Sequence, residues 1–246
     1  MLHTSYEHGP HVLLASIDRP HKRNAVDGHT LAAIADAIDA AVEAKARVVV
    51  LTGVGGHFSA GADLGGVENI EFLDNLRRAL VALAEAPLVT LAAVDGFALG
   101  AGTQMASFCD LRMATEGAKF GIPAAKLGIA VDQATVARVV ELCGGGAARS
   151  MLLAVENIDG KRAYELGFVQ RLGDLAAALE WAKEIAELAP LTIAGHKSAL
   201  TAVRHANSGP VDRQATAGFV RAWESKDLVE GRTAFHEKRR PKFEGM

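Results

Sequence analysis

The amino-acid sequence predicts an α/β domain made of repeated strand–strand–helix units and followed by a C-terminal region of helices. Residues 47–53 and 88–95 are apolar at nearly every position, which is typical of parallel strands covered by helices on both faces. Between these segments, apolar residues recur at spacings of three and four, which indicates amphipathic helices. Beyond residue 132 the pattern is helical almost throughout. A sheet layered by helices accounts for these observations together.

The first strand is predicted over residues 11–18 and ends before Pro20, because proline cannot donate a hydrogen bond to a sheet. A helix follows, with Asp27 as a suitable N-cap. Its apolar stripe consists of Leu31, Ile34, Ala35, Ile38 and Val42. After the buried strand, a second helix is predicted over residues 71–85, and Pro87 ends it.

The segment after the second buried strand is rich in small residues. From Gly96 it is predicted to open a helix that runs to about Phe108. Short strands are predicted near residues 111–115 and 120–121. The helices predicted further along the chain cover residues 133–143, 147–154, 160–167, 175–189 and 192–205.

Pro190 is the natural boundary in this pattern, since helices usually end before a proline. The sequence contains no internal repeat and no low-complexity segment that would mark another boundary. We therefore divide the chain into a core of residues 1–190 and a helical C-terminal region of residues 191–246.

Composition narrows the class of protein. The 246 residues are 50% hydrophobic and carry a formal charge of -3, which fits an ordinary globular domain. A charge so close to zero provides no basic field for nucleic acid, so no nucleic-acid partner is expected. No segment approaches the roughly 18 consecutive apolar residues that a membrane span requires. No membrane span is therefore expected either.

The cysteine content and the first residues of the sequence indicate a cellular compartment. Cys109 and Cys143 are the two cysteines, too few for a disulfide framework or a four-cysteine zinc site, and this fits a reducing cytoplasm. Residues 1–14 lack the basic start, apolar middle and cleavage site of a secretory signal. A cytoplasmic protein is expected. The histidines near the N-terminus have no H-E-x-x-H pattern beside them, so no metal is expected.

Two loops place small residues directly after a buried strand. They are residues 58–64 and residues 96–104. Small residues let a backbone approach a ligand closely, and free N–H groups at the start of a following helix can bind a negative oxygen. Tight packing is the alternative interpretation of each loop, and both interpretations remain open from the residue pattern.

Other chemistries fit these loops poorly. The dinucleotide fingerprint G-x-G-x-x-G fails at its last position in both loops, where Phe58 and Met105 stand. No G-K-[ST] phosphate loop occurs. The nucleophile elbow G-x-S-x-G also fails, because His57 stands at its first glycine position. A dinucleotide-binding oxidoreductase is therefore retained only as a remote alternative.

Residues 91–102, LAAVDGFALGAG, are continued by SFCDL at residues 107–111. This pattern resembles the signature of the enoyl-CoA hydratase/isomerase (crotonase) superfamily. Further landmarks fall in the family order, namely Arg19-Pro20, Asn24-Ala25 and residues 58–64, 120–123 and 237–239. The resemblance covers nearly the whole chain. It implies a crotonase-like spiral of ββα turns, a C-terminal helical region acting in trimerisation or as a lid, and homotrimers or dimers of trimers.

The resemblance also implies a ligand, an acyl-CoA thioester. The backbone N–H groups of Ala62 and Ala101 would stabilise the oxyanion of its enolate, and no cofactor is expected besides the coenzyme A of this ligand. The residues implied in contacts with substrate or coenzyme A are His21, Lys22, Ala25, Ala60, Asp63, Leu64, Gly100, Lys242 and Phe243. For His21 and Lys22, a solvated turn is the alternative.

Two residues depart from the hydratases of this family, which use two glutamates. Gln104 and Ala124 stand at the two glutamate positions. A glutamine has no accessible pKa and an alanine has no polar group, whereas each acid or base contributes about 10²–10⁴ in rate. We therefore expect an acyl-CoA-binding protein of fatty acid metabolism with weak or no hydratase activity.

Asp132 leaves other functions open. It matches a catalytic aspartate of dienoyl-CoA isomerases and of chlorobenzoyl-CoA dehalogenases in the superfamily, so an isomerase using Asp132 is one alternative. The dehalogenase is less favoured, because only 5% of the residues are aromatic. A true hydratase with an atypical site is another alternative. Asp132 is equally suited to cap a helix that begins at Gln133, with Thr135 at the third helical position.

Overall fold

The computed structural model describes residues 1–65, 70–207, 220 and 223–243. In chain order the strands are β1 (Leu2–Glu7), β2 (Val12–Ile17), β3 (Val48–Gly53), β4 (Val89–Val94), β5 (Phe97–Leu99), β6 (Leu111–Ala114), β7 (Lys119–Gly121), β8 (Ile158–Asp159) and β9 (Arg171–Leu172). The helices are α1 (Gly28–Glu43), α2 (Ile70–Glu85), α3 (Ala101–Phe108), α4 (Gln133–Leu153), α5 (Gly160–Glu165), α6 (Leu175–Ala186), α7 (Pro190–Asn207) and α8 (Lys226–His236). Single 3-10 turns lie at Pro20–Lys22 and Pro123–Leu127.

The strands form two sheets. The main sheet has the spatial order β1-β2-β3-β4-β6-β9, and the small sheet has the order β5-β7-β8. In the main sheet β1 pairs antiparallel with β2, whereas every other neighbouring pair is parallel. The predicted α/β class is confirmed. Because β4 and β5 follow each other directly but belong to different sheets, the chain at Asp95 and Gly96 steps from one sheet to the other.

Helices cover both faces of the main sheet, as the apolar strands predict. On one face α1 and α2 contribute Ile34 and Leu83 to the larger core cluster. On the other face α6 contributes Ala182, which packs in a second cluster with Val50 and Leu91. Successive side chains of a strand point to opposite faces, so β3 and β4 supply residues to both clusters. This explains why these strands are apolar throughout.

The structure differs from the predicted elements at the start of the chain and at the second loop. The sequence does not predict β1, because four of its six side chains are exposed and show no alternation. The helix predicted to open at Gly96 begins instead at Ala101, after β5. Gly100 precedes it at φ 53° and ψ -117°, a conformation outside the helical region that glycine adopts readily.

The C-terminal half follows the predicted helices more closely. The helices predicted over residues 133–143 and 147–154 are confirmed as two helical segments of α4, because Gly144 between them has φ 77° and ψ 157°, which is not helical. α7 begins at Pro190 and is attached to the core by Lys197, whose ammonium donates to Asp110 Oδ2 at 2.7 Å and to Leu88 O at 2.9 Å. The division into a core and a helical C-terminal region stays a prediction.

Two further observations concern the whole described chain. Within the ranges given above, no helix is both long and apolar enough to cross a bilayer. The same ranges contain no cluster of three or more His, Cys, Asp or Glu side chains suited to a metal ion.

Cys109 and Cys143 are buried and unpaired, and burial raises the pKa of the Cys109 thiol to about 12. A thiol so protonated is a poor nucleophile.

Candidate functional site

The first predicted loop belongs to a longer glycine-rich segment, of which the structure describes residues 53–65, and we call this segment the first glycine loop. It lies directly against the second predicted loop (residues 96–104), which we call the second glycine loop. Ser59 N donates to Phe97 O at 2.8 Å, and Leu99 N donates to Ser59 O at 2.9 Å. Ser59 and Ala98 thereby form a parallel bridge between the loops. The loops that the sequence singles out separately thus form one structural unit.

Glycines allow this close approach. A Cβ atom on Gly61 would lie 2.8 Å from Leu99 O, and the residue has φ +106°. A Cβ atom on Gly102 would lie 2.5 Å from Ser59 O. Both distances are shorter than a carbon and an oxygen tolerate without a shift of backbone. Tight packing, the alternative interpretation of each loop, therefore accounts for Gly61 and Gly102.

We expect the substitution Gly61→Ala to lower the free energy of unfolding by about 2 kcal/mol, because it combines a left-handed backbone with a steric contact. The measurement is the midpoint of urea unfolding. The matched control is Gly65→Ala in the same loop, where φ is not positive and the nearest atom to the added Cβ is 3.9 Å away. Equal losses in the two variants would contradict the packing argument.

Asn24 holds the first glycine loop in place from outside. Its side chain is fully buried, and Nδ2 donates to Val54 O at 2.8 Å and to His57 O at 2.6 Å. Its Oδ1 accepts from Arg19 N at 2.9 Å. In the sequence, Asn24 stands out only as a landmark of the family. The structure shows that its side chain satisfies two carbonyls of this loop, those of Val54 and His57.

The packed loops leave two backbone N–H groups free. Val26 N donates to Gly61 O, and Asp63 N donates to Val26 O, so the intervening Ala62 N–H points away from this bridge. Ala101 is the first residue of α3, and its N–H has no acceptor inside the helix. Neither N–H donates to a protein acceptor among the residues that the structure describes. These two groups, with the positive end of α3, favour a negative oxygen.

Both N–H groups face a cavity of about 850 Å³. Its wall includes these sequence-predicted residues: His21, Lys22, Ala25, Ala60, Ala62, Asp63, Leu64, Gly100, Ala101, Gln104, Ala124 and Asp132. Lys242 and Phe243 are not brought into it. Lys242 lines a second, smaller cavity, where its backbone N donates to Glu230 Oε1 at 2.7 Å. Lys242 and Phe243 therefore lie outside the larger cavity within this chain.

Much of the cavity wall is apolar and carries no sequence motif. α2 contributes Phe72, Leu76 and Leu80, all of which are nearly buried. Trp223 lies on the wall as well and donates from Nε1 to Ala130 O at 2.9 Å. Sequence reasoning missed these residues, and the amphipathic pattern of α2 shows only that one face is buried, not that it faces a cavity.

Charges at the edge of the cavity are paired with each other. Asp63 Oδ2 accepts from Lys22 Nζ at 2.7 Å and from Arg19 at 2.8 Å. Partial burial acts to raise the pKa of Asp63, but the hydrogen bonds from Lys22 and Arg19 outweigh it and hold the pKa below its usual value. Lys22 therefore reaches the cavity edge with its charge already engaged by a carboxylate.

Gln104 and Asp132 are linked through Thr135. Gln104 is 8% exposed, and its Oε1 accepts from Thr135 Oγ1 at 3.2 Å. Thr135 N in turn donates to Asp132 Oδ1 at 2.8 Å, so Asp132 caps α4. The capping role of Asp132 is confirmed. An acid–base role for Asp132 stays a prediction, and its side chain also lines the cavity.

The cap predicts a specific difference between two substitutions. Asp132→Ala is expected to lower the free energy of unfolding by about 1 kcal/mol, because it removes the acceptor of Thr135 N–H. Asp132→Asn is expected to change it little, because asparagine caps as well as aspartate. Thermal and urea unfolding of both variants would measure this. A loss of equal size in the asparagine variant would show that the carboxylate charge matters beyond the cap.

A mostly parallel main sheet covered by helices, two packed glycine loops and a largely apolar cavity beside them define this chain as an α/β protein with a candidate ligand site. The sequence profile described as enoyl-CoA hydratase/isomerase matches residues 7–246. The chain belongs to this family and hence to the crotonase superfamily. The resemblance noted in the sequence is thereby confirmed.

Relatives support the assignment over most of the chain. A probable enoyl-CoA hydratase of Mycobacterium tuberculosis is 39% identical over 238 residues, covering 95% of this chain and 96% of the relative. The 2,3-dehydroadipyl-CoA hydratase of Escherichia coli is 34% identical over 245 residues, covering 95% of each chain. This chain is similar to both along nearly its full length.

Solved structures confirm the crotonase-like fold. The crystal structure of an enoyl-CoA hydratase from Mycobacterium avium subsp. paratuberculosis superposes with a TM-score of 0.88 at 27% identity, covering 99% of this chain and 98% of that one. A methylmalonyl-CoA decarboxylase superposes with a TM-score of 0.89 at 22% identity, covering 100% of this chain and 98% of that one. The second similarity concerns the fold alone.

Proposed function

We propose that this protein binds acyl-CoA thioesters in fatty acid metabolism and hydrates enoyl thioesters weakly or not at all. One observation carries the proposal: the free N–H groups of Ala62 and Ala101 face the cavity, while Gln104 and Ala124 line it where an acid and a base would be needed. The family supports an acyl-CoA ligand, and the relatives named above are CoA-thioester hydratases by name.

Binding would start at the thioester carbonyl. Its oxygen would accept hydrogen bonds from Ala62 N–H and Ala101 N–H, and the positive end of α3 would favour partial negative charge on it. Preorganised donors of this kind are worth about 3 kcal/mol each when the oxygen becomes an oxyanion. The acyl chain would continue along the apolar wall formed by Phe72, Leu76 and Leu80 of α2.

Hydration would then lack its proton-transfer groups. Among the described residues of the cavity wall, the carboxylates are Asp63, Asp74 and Asp132. Asp63 is engaged by two cations, Asp74 is exposed on α2, and Asp132 caps α4. Gln104 cannot take up a proton near neutral pH. The wall also carries His21 and His236, but neither stands at one of the two glutamate positions of the hydratases, which supports binding over turnover.

An experiment separates binding from turnover. Purified protein is titrated calorimetrically with decanoyl-CoA, and loss of conjugated enoyl absorbance is followed separately with 2-decenoyl-CoA. Saturable binding together with hydration near the uncatalysed rate is the expected result. Hydration at rates typical of hydratases would overturn the proposal, and absence of saturable binding would overturn the assignment of the ligand.

One observation favours a second candidate, an isomerase that uses Asp132. Its capping bonds use Oδ1, and the side chain lies on the cavity wall. Because asparagine preserves the cap, Asp132→Asn tests this function without unfolding α4. If Asp132 moves protons, the substitution abolishes deuterium exchange into the acyl chain in heavy water. Persistent exchange would leave Asp132 as a cap only.

Assembly into a homotrimer or dimer of trimers in the cytoplasm completes the proposal. The exposed apolar side chains of Leu153, Leu191 and Leu200 lie on α4 and α7 and would be covered in an oligomer. The two free cysteines fit a reducing compartment. Light scattering coupled to size-exclusion chromatography measures the assembly, and a monomer at micromolar concentration would contradict it.

A further inference from the structure

The side-chain amide of Gln104 has a defined orientation. Its Oε1 accepts a hydrogen bond from Thr135 Oγ1, and Thr135 is fully buried. Its Nε2 donates to no acceptor in the part of the chain that the structure describes, and it is not among the enclosed polar atoms without a partner. Since Gln104 lines the cavity, Nε2 is the part of the amide that a ligand can reach.

The amide also lies next to the oxygen-binding N–H groups. Gln104 follows Ala101 by three residues on α3, so both lie on the same face of the helix. Long side chains in a helix lean toward its N-terminus, which brings the Gln104 amide toward the Ala101 N–H. Together with Ala62, these residues give the cavity wall three N–H donors.

We propose that Gln104 is a specificity-determining residue, and that the cavity prefers thioesters with an oxygen on C3, above all 3-oxoacyl-CoA. This inference rests on the proposed function, because it takes the thioester carbonyl to lie at Ala62 and Ala101. In a 3-oxoacyl thioester one carbon separates the two carbonyl carbons. The second oxygen therefore projects beside the first, within reach of a donor one helical turn away.

The polarity of the cavity selects among oxygenated ligands. A ketone oxygen only accepts hydrogen bonds, which matches the free Nε2 of Gln104. A 3-hydroxyl group would also need an acceptor for its proton, which the N–H donor Nε2 cannot provide. Ala124, the other substituted position, offers only a methyl group. A saturated or 2-enoyl chain would leave Nε2 without any partner.

The experiment compares two ligands that differ only at C3. Dissociation constants of 3-oxodecanoyl-CoA and decanoyl-CoA are measured by calorimetry for the unchanged protein, which we expect to prefer the 3-oxo ligand about five-fold, the value of one neutral hydrogen bond. Gln104→Met, which keeps the chain length, is expected to abolish the preference, so that the two ligands bind with equal affinity. Equal affinities of the unchanged protein for both ligands would overturn the proposal.

Thr135 supplies a second, independent test. Thr135→Val removes the hydroxyl that holds Gln104 Oε1, so the amide can rotate and the preference for the 3-oxo ligand is expected to fall. Thr135→Ser keeps a hydroxyl at this position and serves as the matched control. An unchanged preference in Thr135→Val would contradict the role of the fixed amide. Failure of both ligands to bind the unchanged protein would instead count against the proposed function itself.

Discussion

Replacing Gln104 and Ala124 together by glutamate is expected to raise the rate of enoyl thioester hydration by about two orders of magnitude or more. Each added group supplies a general acid or base, and such a group contributes about 10²–10⁴ in rate. The backbone N–H groups of Ala62 and Ala101, which we propose as oxyanion donors, need no change. The measurement is the initial rate of loss of enoyl absorbance at saturating 2-decenoyl-CoA.

Single variants provide the controls. Gln104→Glu and Ala124→Glu each supply one of the two groups, so each is expected to gain less than the double variant, because hydration needs a base for water and an acid for the carbon. Thr135 Oγ1 can still donate to a glutamate at position 104, which keeps the new side chain in place. A double variant that binds decanoyl-CoA normally and shows no gain in hydration would contradict our interpretation of the two substitutions.

The substitution Arg112→Met is expected to lower the free energy of unfolding by about 3–5 kcal/mol, the largest effect on stability that we predict. Arg112 is 1% exposed, and its guanidinium donates to Ala106 O at 3.0 Å, Cys109 O at 2.7 Å and Phe168 O at 2.5 Å. Burial, assisted by repulsion from Arg138, lowers the pKa of Arg112 to about 10, so it remains charged at neutral pH. Its loss would remove three hydrogen bonds from buried surroundings, and only weaker donors at 3.3 Å, from Arg138 and Gln170, would remain for Cys109 O and Phe168 O.

This change also tests how α3 is held. Ala106 and Cys109, two of the residues whose carbonyls Arg112 binds, lie at the C-terminal end of α3, and Ala101 N–H lies at its other end. Urea unfolding measures the stability of Arg112→Met, and Arg162→Met is the matched control, because Arg162 is exposed and forms an ion pair with Glu165 on the surface. Similar losses in the two variants would contradict the role of the buried guanidinium.

Much of the fold could be predicted because the signals are local. β3 and β4 are recognisable as doubly covered strands, and Asp27 and Asp132 as helix caps, since burial of both faces and N-capping act over a few neighbouring residues. β1 could not be predicted, because hydrogen bonds to β2 hold a strand whose side chains are mostly exposed. The break of α4 at Gly144 could be predicted, because three consecutive glycines interrupt the helical pattern there.

The candidate site also has features that local sequence patterns predict and features that depend on distant contacts. The motif around Ala101 and the spacing of the glycine loops locate the backbone donors, because these depend on a strand exit and a helix start that are close in sequence. The hydrogen bond from Thr135 to Gln104 joins residues 31 positions apart, and Asn24 reaches His57 across 33 positions. No local pattern contains such contacts.

The sequence by itself thus determined the family, most of the helices, the two buried strands and the absence of glutamates at positions 104 and 124. Only the tertiary structure decided that α2 lines the cavity, that Lys22 is engaged by Asp63, and that Thr135 holds the oxygen of the Gln104 amide. The physical reason is that periodicity and capping act between neighbours along the chain. The direction of a side chain in a cavity depends instead on partners that packing brings from distant segments.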